Sequence, residues 1–66
     1  MQVTVNGTGT DVPDDTTVAA LVAQRAGEHD RVAVARNGDV VPRSAWAATR
    51  LDAGDALEVL APTAGG

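Results

Sequence analysis

The 66-residue chain contains no cysteine, no lysine, no tyrosine and no phenylalanine, and its only aromatic residue is Trp46. Without cysteine there are no disulfide staples, and a single histidine, His29, cannot make a structural zinc site, so stability has to come from apolar packing. The lack of thiols fits a reducing compartment. No apolar run reaches signal or membrane length, and no basic segment precedes the strand-like start at Gln2, so the chain is expected to be cytoplasmic. Nine carboxylates against five arginines leave a net charge of −4. That balance argues against nucleic acid or an anionic membrane and favours a basic protein surface as partner. The missing lysines read either as a compositional bias towards Arg and Ala or as the removal of amines that could capture an activated acyl group.

What is present reads as one domain, because so short a chain buries only roughly 60% of its unfolded surface and cannot build two cores. Gln2 to Asn6 alternates polar and apolar side chains, the period of a strand with one buried face. Asn6-Gly7 then supplies a hairpin turn, Thr10 to Val12 the returning arm, and Pro13 its end. Thr17 is the expected N-cap of a helix, with Asp14 and Asp15 complementing the positive end of its dipole. The same two carboxylates could be read as an acid/base pair, but adjacent residues point apart and capping accounts for them. Val18, Leu21, Val22 and Arg25 recur at i, i+3, i+4 and i+7, which places a narrow aliphatic stripe against the core, and Gly27 closes the helix.

Arg31 to Arg36 reads as a strand with Val32 and Val34 on the core face and alanines on the other. Asn37-Gly38 signals a second hairpin that returns through Asp39, Val40 and Val41 to Pro42. Ser44 is the expected cap of a short helical turn that carries Trp46 to the edge of the core as a lid. A turn at Asp52 to Asp55 leads into a last alternating strand, Ala56 to Leu60, with Leu57 and Val59 pointing inward. This order predicts an α+β domain over residues 1–60, a mixed sheet of about five strands with one main helix on one face and a short second helical turn. The first and last strands are expected side by side and parallel at the centre of the sheet. Leu60 with Ala33 and Ala35 should form a weakly apolar patch on the open side, with Asp55 and Glu58 guiding approach to a basic partner.

The sequence holds no nucleophilic cysteine, no Ser-His-Asp set, no phosphate-binding loop and no metal-ligand cluster. His29, between Gly27 and Asp30, reads as a solvated loop residue. The last six residues are different: Ala61 to Gly66 has no periodicity, contains Pro62 and ends in two glycines. As an extended arm they reach about 20 Å. Gly65 and Gly66 lack Cβ atoms, so they can thread a narrow channel, with Ala64 and Thr63 following, and let a reagent approach the terminal carbonyl. A carboxylate resists acyl chemistry until it acquires a leaving group, for which ATP is the usual source. The competing reading is an idle terminus.

The chain resembles the sulfur carriers of thiamine biosynthesis, the ThiS family, which have the β-grasp fold of ubiquitin. The resemblance runs nearly end to end. It is carried by Val5-Asn6-Gly7, by Thr17-Val18 to Leu21, by Val32-Ala33-Val34 with Asn37-Gly38, and by Val41-Pro42-Arg43-Ser44 with Trp46. It continues through Thr49, Leu51, Gly54-Asp55, Glu58-Val59 and Gly65-Gly66. The resemblance implies that the chain is a reusable co-substrate and not itself an enzyme. An E1-like adenylating enzyme would consume ATP to activate Gly66. A sulfur donor system such as a cysteine desulfurase would supply the sulfur of a thiocarboxylate, and thiazole synthase would accept it. No bound cofactor is implied, and the free carrier is expected to be a monomer. The proline-containing tail also resembles the small subunits of molybdopterin synthase, which use the same chemistry, and a ubiquitin-like protein modifier is a further alternative. The Val41 to Trp46 stretch and the absence of phenylalanine near the last strand favour the thiamine branch.

Overall fold

Both Asn-Gly dipeptides form the expected turns in the computed structural model, which describes residues 1–26 and 32–60. Asn6 (φ 52°) and Gly7 (φ 83°), like Asn37 (φ 50°) and Gly38 (φ 87°), have positive φ at both central positions. That geometry matches the twist of the flanking strands and is open to few residues besides asparagine and glycine. The first turn joins β1 (Gln2–Val5) to β2 (Thr8–Asp11), and the second joins β3 (Ala33–Arg36) to β4 (Asp39–Val40).

The last strand, β5 (Ala56–Leu60), lies between the two hairpins, so the sheet order is β2-β1-β5-β3-β4. It runs parallel to β1, with Thr4 opposite Ala56 and Val5 opposite Leu57. Against β3 it is antiparallel, from Ala33 opposite Leu60 to Arg36 opposite Leu57. The parallel pairing of first and last strands is as expected, and the mixed sheet with one helix against it is a β-grasp.

The helix α1 (Val18–Ala26) starts where its cap places it, with the Ala20 amide donating to Thr17 Oγ1 at 3.2 Å. Asp14 plays a different part from the one expected. It pairs at 3.2 Å with the Met1 ammonium group, and the first turn of the helix holds no acidic side chain. The helix entry is held instead by main-chain bonds to the segment before β5, Val18 N–H to Thr49 O and Leu51 N–H to Thr16 O, each 2.9 Å.

One sheet face and the helix enclose the core. Val3, Val5, Val34 and Leu57 from the strands meet Val18, Leu21 and Val22 from α1, all buried. Each such side chain removes apolar surface worth about 1.5–3 kcal/mol from water. Val12, Val32 and Leu51 complete the layer.

Trp46 is buried and closes the core edge from a 3-10 helix, Arg43–Ala48. Its indole Nε1–H donates to Val41 O at 2.8 Å, satisfying the one polar atom it takes out of water, and the Arg43 guanidinium carbon lies 5.1 Å from the ring centroid. Ser44 is not the cap. The helix begins two residues earlier, with Pro42 at the N-cap, no side-chain cap bond, and Ala45 N–H bonding Pro42 O at 2.8 Å. Proline, with its φ fixed at −59° and an extended ψ, starts the turn through its carbonyl. Gly27, His29, Arg31 and residues 61–66 lie outside the described residues. Among those described, no helix is long and apolar enough to cross a membrane.

Candidate functional site

The tail-bearing strand β5 shows its two sides to different surroundings. Leu57 is buried and Val59 half-buried against the core, while Ala56, Glu58 and Leu60 face outward. Residues directly opposite on neighbouring strands share a face. Leu60 therefore stands beside Ala33, and Glu58 beside Ala35, on the side away from α1. Val40 lies opposite Ala35 and belongs to the same side. Leu60 is 61% exposed and Val40 76%. Leu60, Ala33, Ala35 and Val40 thus make an apolar half of the open face, and Gln2 and Thr4 on β1 make a polar half.

Asp55 does not join Glu58 on that face. It is 6% exposed and accepts from Arg36 Nε at 2.8 Å, Asn37 Nδ2 at 3.0 Å and the Asp52 amide at 2.8 Å. Burial pushes its carboxyl up, but the Asp52 amide, the Asn37 amide and the Arg36 guanidinium together outweigh that and hold it below its ordinary value. The bond to Asp55 in turn raises Arg36. A carboxylate so buried and so partnered braces the turn into β5 and is not presented to a basic partner. In the sequence it was indistinguishable from a solvated turn acid, because its three donors come from two separate segments.

Asn6 is the other residue whose part appears only in three dimensions. Its side-chain Oδ1 accepts from Val59 N–H at 2.9 Å and its Nδ2 donates to Val59 O at 3.1 Å. At the far end of β5, Asn37 Oδ1 accepts from Ala56 N–H at 2.9 Å. The positive φ that identified both asparagines as turn residues also turns their side chains back onto the central strand. Among the described residues, no group of three or more His, Cys, Asp or Glu side chains is placed to hold a metal ion.

The ThiS family profile matches residues 2–66. The chain belongs to the ThiS family. A crystal structure of the thiamine biosynthesis protein ThiS from Geobacter metallireducens superposes with a TM-score of 0.82 at 36% identity, covering the whole of both chains. The solution structure of a thiamine biosynthesis protein from the same organism gives 0.80 at 36% identity, covering all of this chain and 88% of the other. A curated relative, thiazole synthase from Paramagnetospirillum magneticum, is 35% identical over 66 residues. This ThiS family chain spans 20% of that relative's length. The ThiS fold thus places Leu60, Ala33, Ala35 and Glu58 together on an open face next to the strand that leads into residue 61. Gly66, Gly65, Ala64 and Thr63 are outside the described residues.

Proposed function

We propose that the chain is a sulfur carrier of thiamine biosynthesis, a protein co-substrate whose Gly66 carboxylate is the reacting group. A carboxylate oxygen attacks the α-phosphate of ATP on an E1-like adenylating enzyme, and pyrophosphate leaves. The terminal sulfur of a persulfide on a donor system such as a cysteine desulfurase then displaces AMP to give an acyl disulfide. A thiol cleaves its S–S bond and leaves as the mixed disulfide, and the released thiocarboxylate passes its sulfur to thiazole synthase in the cytoplasm. Residues 61–66 serve as the arm that enters each partner, and the open face of the sheet is the handle. ATP belongs to the adenylating enzyme.

The observation that carries this reading is the family match through residue 66, together with a ThiS structure that aligns over its full length. The relative named thiazole synthase supports the assignment of the acceptor, because a ThiS-like sequence occurs there within a protein of that name. The open apolar face beside the end of β5 supports docking next to the arm, since exposed Leu and Val grouped on one side are what a partner can cover.

The test is to incubate the chain with the adenylating enzyme of its source, ATP and a sulfur donor, and to measure intact mass. A carrier gains the difference between sulfur and oxygen, and Gly66→Ala, which crowds the carbonyl, slows that gain. Isopeptide-linked conjugates on target lysines would favour a protein modifier instead. Sulfur passed to a molybdopterin precursor and not to thiazole synthase would move the chain to the other branch.

A further inference from the structure

We infer that Asn6 is a positioning residue for the C-terminal arm, its side-chain amide standing in for the main chain of β1 to hold the end of β5 in the sheet. The inference rests on the carrier reading for its functional consequence and on geometry for the clamp itself.

A parallel pair continues by a fixed alternation of main-chain bonds. Thr4 N–H bonds Asp55 O, and Asn6 N–H bonds Leu57 O, each at 2.9 Å. The next link in that ladder would join Val59 N–H to the Asn6 carbonyl, and a following β1 amide to Val59 O. At Asn6, however, φ becomes 52° and the chain turns away into β2. The Asn6 side chain replaces both lost links, accepting from Val59 N–H and donating to Val59 O. Carrying one acceptor and one donor at that reach is what distinguishes an asparagine from a glycine or an aspartate at the same turn position. The two bonds also fix which amide atom is oxygen, because Val59 N–H can only donate.

Val59 is two residues before the arm, and neighbouring Leu60 carries the apolar patch. Its N–H and C=O point towards β1, so β3 cannot satisfy them. Without the clamp Val59 is untied from β1 and the end of β5 is held by its pairing with β3 alone, so the root of the arm and Leu60 are both held less firmly. Both changes dilute the terminal carboxylate at a partner's active site. Asn37 is a comparison within the same molecule: a left-handed turn asparagine bonded to the main chain of β5 at its beginning, and to the Asp55 carboxylate as well.

The experiment compares Asn6→Gly and Asn37→Gly in the full chain. Glycine keeps the positive φ of each turn and removes only the amide. The first readout is amide hydrogen exchange by NMR, with the Thr4 amide as internal reference. Asn6→Gly should lower protection of the Val59 amide about fivefold, the scale of a lost solvent-exposed hydrogen bond, and leave Thr4 unchanged. Asn6→Asp, which keeps the acceptor and sets a carboxylate against Val59 O, should fall between. The second readout is ATP–pyrophosphate exchange by the adenylating enzyme of the source, at a temperature where circular dichroism shows all variants folded. Here kcat/KM should fall roughly threefold to tenfold for Asn6→Gly and stay within about twofold for Asn37→Gly. Unchanged Val59 protection would overturn the clamp. Equal losses for the two glycine variants would overturn the positioning role and leave the carrier reading standing. Absence of exchange with the unsubstituted chain would remove the carrier reading and the positioning role together.

Discussion

The two ends of β5 are built for different purposes. At its start, Asp55 is buried and bonded by Arg36, Asn37 and Asp52, and the Ala56 amide is held by Asn37. At its close, Leu60 is exposed on the open face and, among the described residues, the Asn6 side-chain amide alone ties the strand to β1 beyond Leu57. One five-residue strand therefore joins a polar node that holds the fold to an apolar end that is free to be covered. Two acidic residues three positions apart, Asp55 and Glu58, fall on opposite sides of that division, and their charge alone does not tell them apart.

The division makes predictions of decreasing size. Removing Gly65 and Gly66 should abolish ATP-dependent sulfur gain by mass spectrometry while leaving the thermal midpoint within about 1 °C, the outcome required if the reacting end contributes nothing to the core. A large fall in midpoint would show that arm and body are not separate. Asp55→Ala should cost about 2 kcal/mol in urea denaturation, because it removes the buried carboxylate that bonds Arg36, Asn37 and the Asp52 amide together. Leu60→Ser should stay within about 0.5 kcal/mol in the same measurement, yet weaken binding to the adenylating enzyme about tenfold in titration calorimetry. If the two substitutions exchanged effects, the reading of β5 would be inverted.

A smaller effect follows from acid. Asp55 titrates below its ordinary value when folded, so its contribution is complete above the unfolded value near about 4 and is lost as pH falls through the lower, folded value. Thermal midpoints of the unsubstituted chain should thus decline more steeply below about pH 4 than those of Asp55→Asn. Smallest of all, Glu58→Gln should reduce the association rate with a basic partner by about twofold at low salt, with the difference vanishing as salt is raised.

Much of the fold was legible because it is written locally. The Asn6-Gly7 and Asn37-Gly38 turns, the Val18, Leu21 and Val22 stripe, the Thr17 cap and the alternation in Ala56 to Leu60 are each decided by a few adjacent residues. Leu60, Glu58 and the alanines of β3 were legible on the open face for the same reason. What escaped depends on partners distant in the chain. Asp55 reads as a turn acid until Arg36 and Asn37 arrive from the neighbouring hairpin. Asp14 reads as a helix-end acid until the Met1 ammonium group is placed beside it. Val40, in a short edge strand, shows its exposure only once β4 is seen to lie on the open side. Ser44 was misplaced because a side-chain oxygen near a helix start suggests a cap, whereas Pro42 had already started the turn.

The central claim is that reactivity resides at the last residue, with the folded body as a handle. Fragment-ion mass spectrometry on the chain after incubation with its adenylating enzyme, ATP and a sulfur donor tests it most directly. The claim predicts the exchange of one oxygen for sulfur in every fragment that contains Gly66 and in none that stops before it. Sulfur found elsewhere in the chain, or a native protein whose mass shows Gly66 removed or permanently extended, would contradict it.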